Sequence, residues 1–388
     1  MNGSERILVV DDDSGLRRTL HRILQPPYRV EAVAGATEAL AVMDKGFALA
    51  LLDVRLKDGD GYSLCKALRE RRPEMDVILI TGSISEPDEK LFRSLEEGAF
   101  YFLFKPFDRR VLLALVERCL RLQRERFAKE RYAAVLAADL ERARLFQQSL
   151  VPRVPVAGAG WRVEGRLLTC DALGGDFWLA QQDDDGLGLV LAVCDVVGHG
   201  VSAAMYAGML RSTLGAVWRR GADPERVAAE LLTDADFLTG ATCATMVYGL
   251  LGADGRVRAF NAGHPPLLLL RGAANAVELL SSEGPLLHRL FRDRKMPSLE
   301  VATVPGDRLL AYSDGAFEAR NPADQELGLD RLGEAFAALR GRPAGEALDA
   351  LVDLVRTHGA GRPVADDVTL VMIERTDDRT QNSRARPA

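Results

Sequence analysis

Cysteine is scarce in this chain. Cys65, Cys119, Cys170, Cys194 and Cys243 are scattered and form no CxxC pair. That argues against a disulfide framework or a cysteine zinc site and for reduced residues packed in cores. Only five histidines are present, so a His-rich metal centre is not expected. Basic residues do not dominate: 50 Lys and Arg stand against 56 Asp and Glu, a net charge of −6. A broad nucleic-acid face needs a basic surplus, so no nucleic-acid partner is expected. No apolar stretch approaches the ~18 residues of a membrane span. The runs LLDVRL and GLVLAVC are strand-length. MNGSERILVV runs straight into a strand without an apolar leader core, so a cytoplasmic location with no membrane partner is expected. What is present is an ordinary globular composition, 47 % apolar and 27 % charged over 388 residues, which allows two or three domains.

Residues 6–121 alternate short apolar runs (ILVV, YRVEAV, LALLDV, DVILIT, FYFLF) with amphipathic segments near 14–25, 36–45, 61–71, 88–97 and 108–121. Five such units predict an α/β domain with a doubly wound parallel sheet, whose sites form at the carboxyl ends of the strands. A helical pattern without Pro or Gly then covers 109–150. Leu115, Leu122, Leu136, Ala143 and Leu150 share one heptad position, and Cys119, Ala133 and Leu140 share a second; Arg126 and Lys129 interrupt the seam. The pattern suits either an exposed linker helix or a dimerising coiled coil. From 156 to 376 long apolar strands dominate, at 188–195, 244–252, 256–263, 266–270, 307–314 and 367–373. Helical patterns lie near 200–219, 224–238, 328–340 and 345–357. Asp254-Gly255 between two runs signals a hairpin. An antiparallel β core flanked by helices is expected. The expected division is therefore 1–122, a linker at 123–155, 156–376, and a polar disordered tail at 377–388.

Asp11, Asp12 and Asp13 follow the first strand, Asp53 the third, Thr81 closes the fourth and Lys105 follows the fifth. Carboxylates crowded at one sheet edge repel and need a cation, and oxygen-only ligands suit Mg²⁺. Asp53 can act as a nucleophile toward a phosphoryl group, with Lys105 and the Thr81 hydroxyl contacting its oxygens. In this order and spacing ILVVDDD, LLDVRLKDGDGY, LITGS and FLFKPF resemble the receiver domain of bacterial response regulators, over about residues 4–122. The resemblance implies that Asp11 and Asp12 hold Mg²⁺ with Asp53, that Asp53 is phosphorylated by a sensor histidine kinase, and that Thr81 and Lys105 read the phosphate. It also implies that Phe102 is a switch aromatic. Lys57 departs from the pattern, standing where proline is common. Arg55, two residues past Asp53, bears on the lifetime of the phosphoaspartate.

The second half carries acids at strand ends or beside glycine: Asp176 in GGDFW, Asp195 in CDVVGHG, Asp314 in YSDGAFEARN, and Asp366-Asp367 in ADDVTL. Such carboxylates can converge on two hard divalent ions, which suits an in-line phosphoryl displacement. No P-loop, Cys-x5-Arg or Ser-His-Asp order competes. GGDF, DVVGHG, NAGHPP, YSDGAFEARN and DDVTLV resemble the sporulation and stress-response branch of the PPM (PP2C-like) phosphatases, and ARLFQQSLVP resembles the helix leading into that catalytic domain. The resemblance implies an α+β PPM-type β-sandwich holding two Mn²⁺ or Mg²⁺. Asp195 would bridge both ions, Asp176 would complete one site, and Asp314 and Asp366, rather than Asp367, the other. The Val196 carbonyl would be a further ligand. It also implies a phosphorylated STAS-type anti-sigma-factor antagonist as substrate. Gly198 and Gly200 permit the tight turn, while Asn261 and His264 are expected to be structural. Departures are Leu179, Val197 and Leu287, none of them a metal ligand.

Other features have plainer explanations. GGDFW does not continue into the GGDEF cyclase pattern. Met205, Met209 and Leu210 are expected in the core. Arg219-Arg220 reads as a solvated helix end and 183–185 as a solvated turn. His21, His288 and His358 show no ligand spacing. The functional expectation is a phosphatase under receiver control, a homodimer through the linker helix. The alternative is a non-catalytic phosphatase-like adaptor for a sigma or anti-sigma factor.

Overall fold

The computed structural model describes residues 5–82, 101–183, 188–272, 276–282 and 284–377. The chain divides into two compact units, Met1–Leu136 and Ala137–Ala388. The segment near 88–97, expected as a helix, lies outside the described residues, as do Asp184, Asp185 and Gly186 of the expected turn and the tail from 378.

In the first unit β1 (Arg6–Val10), β2 (Arg29–Val33), β3 (Leu49–Asp53), β4 (Asp76–Thr81) and β5 (Tyr101–Phe104) pair in parallel, in the order 2-1-3-4-5. This is the expected doubly wound sheet. The run LALLD of β3 is buried at every position because both faces are covered. Ala50 and Leu52 pack with Ala39, Leu64 and Leu68, from α2 (Ala36–Val42) and α3 (Gly61–Arg71). Leu49 and Leu51 pack with Leu20 and Leu24 of α1 (Ser14–Leu24) and with Leu112 and Val116 of α4 (Arg109–Ser149). Asp13 starts α1 by accepting from the N–H groups of Gly15 at 2.7 Å and Leu16 at 3.4 Å, as an N-cap does. Helix α4 is continuous over 41 residues, and its buried positions end at Gln123. There the side-chain amide donates to Ala48 O at 2.9 Å and Glu74 O at 2.6 Å. Beyond it Tyr132, Val135, Leu136, Leu145 and Phe146 are exposed.

The second unit is a sandwich of two antiparallel sheets between helix pairs. One sheet runs β8 (Phe177–Gln182), β9 (Gly188–Val196), β10 (Ala244–Gly252), β11 (Arg256–Ala262) and β14 (Ser298–Ala302). The other runs β13 (Val277–Leu280), β12 (Leu267–Leu270), β15 (Arg308–Tyr312), β16 (Val368–Arg375), β7 (Trp161–Leu168) and β6 (Val156–Gly158). Period two explains how the apolar runs are used. In β9, Leu189, Leu191 and Val193 face the other sheet. Val190, Ala192, Cys194 and Val196 instead meet α5 (Gly200–Trp218) and α6 (Pro224–Asp234). In β16, Val371 and Ile373 face between the sheets. Val368, Leu370 and Met372 meet α7 (Leu329–Ala338) and α8 (Ala344–His358).

Some details differ from the sequence expectation. Helix α6 stops at Asp234 instead of running to 238; Ala235 and Leu238 are still buried, in a turn closed by Leu238 N–H to Ala235 O. Strands β6, β7, β13 and β14 were not anticipated. SLEVA of β14 alternates exposed and half-buried residues at a sheet edge, and polar residues break the pattern of WRVEGRLL. Met205 and Met209 are not core residues: they are 65 % and 46 % exposed, while Leu210 is buried. With Val201 they form an exposed stripe at steps of four along α5, since only its opposite face meets the sheet, and Val197 is exposed in the loop just before the helix.

Two candidate acidic sites

At the carboxyl edge of the parallel sheet, Asp11, Asp12 and Asp53 bring carboxylate oxygens within 4.8 Å of one another. Asp11 and Asp53 are buried and Asp12 is half-buried. Lys105 joins them, with Nζ 2.9 Å from Asp11 Oδ2 and 2.8 Å from Asp53 Oδ2. Burial pushes the Asp11 carboxyl above its ordinary value against the pull of Lys105. Burial also works against the Lys105 ammonium, but its hydrogen bonds to Asp53 and Asp11 outweigh that and raise its pKa. Asp13 is set apart as the α1 cap. Thr81 is buried at the end of β4, where its carbonyl accepts from the Lys105 N–H at 2.7 Å. Phe102 is half-buried against the α2–α3 face. Lys57 lies 3.7 Å from Asp12. Asp58 accepts from Ala36 and Thr37 N–H and so ties its loop to the start of α2.

The second set gathers at one end of the sandwich. Asp195 ends β9, and the pairing of Phe177 with Cys194 puts Asp176 beside it. Asp314 follows β15 and Asp366 precedes β16, in the other sheet. Asp176 is fully buried, and its Oδ2 accepts from the Thr369 hydroxyl at 2.5 Å. Burial and then Asp195 hold its carboxyl well above the usual range. Asp195 is pushed up to about 7 by burial and then by Asp314 and Asp366. Burial and Asp366 also raise Asp314. Among the described residues no Lys or Arg pairs with these four acids, whereas Lys105 sits inside the first site. Uncompensated carboxylates facing one another are the donor set a hard divalent cation needs, so the residues fit Mg²⁺ or Mn²⁺. The four do not form one cluster as tight as the first.

Two glycines allow the approach of the loops. A Cβ on Gly175 would lie 2.5 Å from the Val196 carbonyl oxygen, and one on Gly315 would lie 2.1 Å from the Asp367 carbonyl oxygen. Gly198 and Gly200 take φ of 96° and 79°, conformations that favour glycine. Asn261 and His264 close their turn by mutual hydrogen bonds, Asn261 Nδ2 to His264 O at 2.8 Å and His264 N–H to Asn261 Oδ1 at 2.7 Å.

Sequence reasoning missed three features. Asp367 is buried beside the exposed Asp366, and its Oδ2 accepts from Gly175 N–H at 2.7 Å and Asp176 N–H at 3.4 Å while its Oδ1 takes Cys170 N–H at 2.8 Å. The signal was present in its alternation with Thr369, Val371 and Ile373. Gln147, near the end of α4, donates to Gly174 O at 2.6 Å and accepts from Gly174 N–H at 3.2 Å. His199 Nδ1 lies 2.6 Å from Asp171 Oδ2 on the two loops that carry Asp195 and Asp176.

Residues 7–117 match the response regulator receiver domain family, and residues 185–376 match the stage II sporulation protein E (SpoIIE) family. The chain joins a receiver domain to a SpoIIE-type phosphatase domain. The transcriptional regulatory protein GltR of Pseudomonas aeruginosa is 40 % identical over 137 residues, 34 % of this chain and 55 % of GltR. Protein IcfG of Synechocystis sp. is 27 % identical over 279 residues, 64 % of this chain and 43 % of IcfG. The chain thus spans about half the length of the curated relatives it matches. The SiaA-PP2C domain of Pseudomonas aeruginosa superposes with a TM-score of 0.55 at 19 % identity, covering 63 % of this chain and 99 % of that domain; the phosphatase-type domain shares its fold. No helix among the described residues is long and apolar enough to cross a membrane.

Proposed function

We propose that this protein is a response regulator in which phosphorylation of Asp53 controls a metal-dependent protein serine/threonine phosphatase. The observation that carries the phosphatase reading is the convergence of Asp176, Asp195, Asp314 and Asp366 from two sheets without a compensating cation. In this reading two divalent ions would be held by Asp195, which would serve both, by Asp176 for one and by Asp314 and Asp366 for the other, and the Val196 carbonyl would assist. Such ions supply a water acidic enough to attack at neutral pH and positive charge for the phosphoryl oxygens. The chain's own part is to hold these donors in a fixed array before substrate arrives.

In the receiver, Asp53 Oδ takes the phosphoryl group from a phosphohistidine of a sensor kinase, breaking the P–N bond and forming P–O. Asp11 and Asp12 would hold Mg²⁺ with it, Lys105 meets the added charge, and Thr81 and Phe102 respond to it. Helix α4 supports the coupling: it begins on the receiver core and ends with Gln147 bonded on both sides to Gly174, two residues before Asp176. The expected domains (1–122, 123–155, 156–376), the cytoplasmic location and a homodimer through α4 belong to this proposal. So does a phosphorylated STAS-type anti-sigma-factor antagonist as substrate in a partner-switching pathway.

The test is Mn²⁺-dependent hydrolysis of p-nitrophenyl phosphate and of a phosphorylated STAS-type protein by wild type and Asp195→Asn, each with and without beryllofluoride on Asp53. Metal-dependent activity that vanishes in Asp195→Asn and changes with beryllofluoride is expected. Absence of activity on both substrates under every condition would leave the adaptor reading in its place.

A further inference from the structure

A cavity of ≈ 600 Å³ opens between the loop after α6 and the segment 288–293, lined by Thr239, Gly240, His288, Arg289, Arg292 and Asp293. His288 is 9 % exposed. Its Nδ1 accepts from the Leu290 N–H at 3.1 Å, so the neutral ring carries its proton on Nε2. That Nε2–H is buried and, among the described residues, has no partner. A buried donor left unpaired is unfavourable, and an acceptor that reaches it from the cavity side removes that cost. Two arginines line the same cavity, and among the described residues their guanidinium groups have only weak partners. Arg289 comes no nearer than 4.0 Å to Asp236, and Arg292 no nearer than 3.9 Å to Asp293. A buried donor with two exposed cations suits an oxyanion.

Strand register gives the cavity's place relative to the acidic cleft. Val196 pairs with Ala244, and Ala244 bridges to Leu287, the neighbour of His288. The Val197 N–H donates to Cys243 O at 3.0 Å, and the Arg289 N–H to Leu238 O at 3.0 Å. Two strand spacings of ~4.8 Å put the cavity mouth on the order of 10 Å from Val196. An extended peptide advances ~3.3 Å per residue, so this is about three residues along a chain whose phosphoester lies at the aspartates.

We propose that this cavity is an oxyanion subsite that takes a carboxylate or a second phosphate carried by the phosphoprotein substrate about three residues from the hydrolysed phosphoester. This rests on the phosphatase reading above. The experiment uses the full chain and three phosphoserine peptides identical except for Glu, phosphoserine or Gln at positions three residues to either side. Wild type is expected to prefer the Glu or the phosphoserine peptide about tenfold or more in kcat/KM over the Gln peptide, and which of the two identifies the group. In Arg289→Gln/Arg292→Gln, both exposed and so harmless to folding, and in His288→Phe, which keeps a ring but removes the donor, the preference should fall to about one. Equal kcat/KM for all three peptides in wild type would overturn the proposal. Binding of the same labelled peptides to metal-free protein, by fluorescence anisotropy, separates the two readings. Arg-dependent, anion-dependent binding, together with no hydrolysis of any of the peptides once Mn²⁺ is supplied, keeps the subsite and removes the phosphatase; binding indifferent to peptide charge and to the Arg pair removes the subsite.

Discussion

Asp366 and Asp367 are adjacent acids, and the structure gives them opposite consequences. Asp367 is buried, and its two oxygens take main-chain N–H groups of Cys170 and Gly175 at 2.8 and 2.7 Å, with Asp176 N–H at 3.4 Å. Asp367→Asn turns one oxygen into a donor facing a donor. It loses one charge-assisted bond of about 1.5–3 kcal/mol and leaves a buried N–H unpaired at about 1–3 kcal/mol more. A net loss of about 3–5 kcal/mol is expected. At ~2–4 °C per kcal/mol for a domain this size, the melting temperature falls by roughly 6–20 °C. Asp366 is exposed and, among the described residues, accepts only the Asp367 N–H, at 2.8 Å. Its carboxylate raises the pKa of Asp195 and Asp314, so Asp366→Asn relieves repulsion. That variant should melt no lower than wild type without metal, yet bind Mn²⁺ more weakly and lose most hydrolytic activity. Differential scanning calorimetry with and without Mn²⁺, beside a calorimetric Mn²⁺ titration, reads both effects. Equal melting temperatures for Asp367→Asn and wild type would refute the reasoning, and so would wild-type Mn²⁺ affinity in Asp366→Asn.

Gln147→Ala removes both bonds to Gly174, so activity should fall several-fold and the response to beryllofluoride shrink while receiver phosphorylation proceeds; an unchanged response in phosphatase assays would show that α4 does not act through Gly174. Lys105→Ala removes the cation between Asp11 and Asp53, so Mg²⁺ should bind the receiver several-fold more tightly by calorimetry while beryllofluoride no longer alters activity; weaker Mg²⁺ binding would count against this geometry. Because the folded-state pKa of Asp195 is raised to about 7 from its ordinary 3.8, metal-free protein should gain stability as pH falls from 8 toward 5. Asp195→Asn should flatten that gain, and parallel urea-unfolding profiles for the two proteins would contradict it. Leu136→Glu places charge on the exposed stretch of α4 and should shift a homodimer toward monomer in sedimentation velocity; identical sedimentation of both proteins would remove α4 as the dimer contact.

Much of this architecture was legible because its signals are local. The runs of β1, β3, β4, β9, β10 and β16 are apolar on both faces since each lies between two layers, and acids directly after or before them mark strand ends. The unanticipated strands, such as β14 and β7, take their place from pairing with a neighbour rather than from their own pattern. Met205 and Met209 show the converse: helical spacing of apolar residues does not say which face meets the sheet. The roles of Asp367 and Gln147 were hidden because their partners are main-chain groups at 170–176, remote in sequence and invisible to side-chain motifs.

Asp176 and Asp195 belong to one sheet of the sandwich, and Asp314 and Asp366 flank strands of the other. The spacing between the two donor pairs therefore depends, like the jaws of a caliper, on how the two sheets are packed, ordinarily ~10 Å apart at their backbones. In the proposed reading, ions held by both pairs would rivet the two layers at one end. A small shear of one sheet over the other would spoil the donor geometry while leaving each acid in place on its own sheet, so resistance to sliding between the sheets would itself be a determinant of metal affinity.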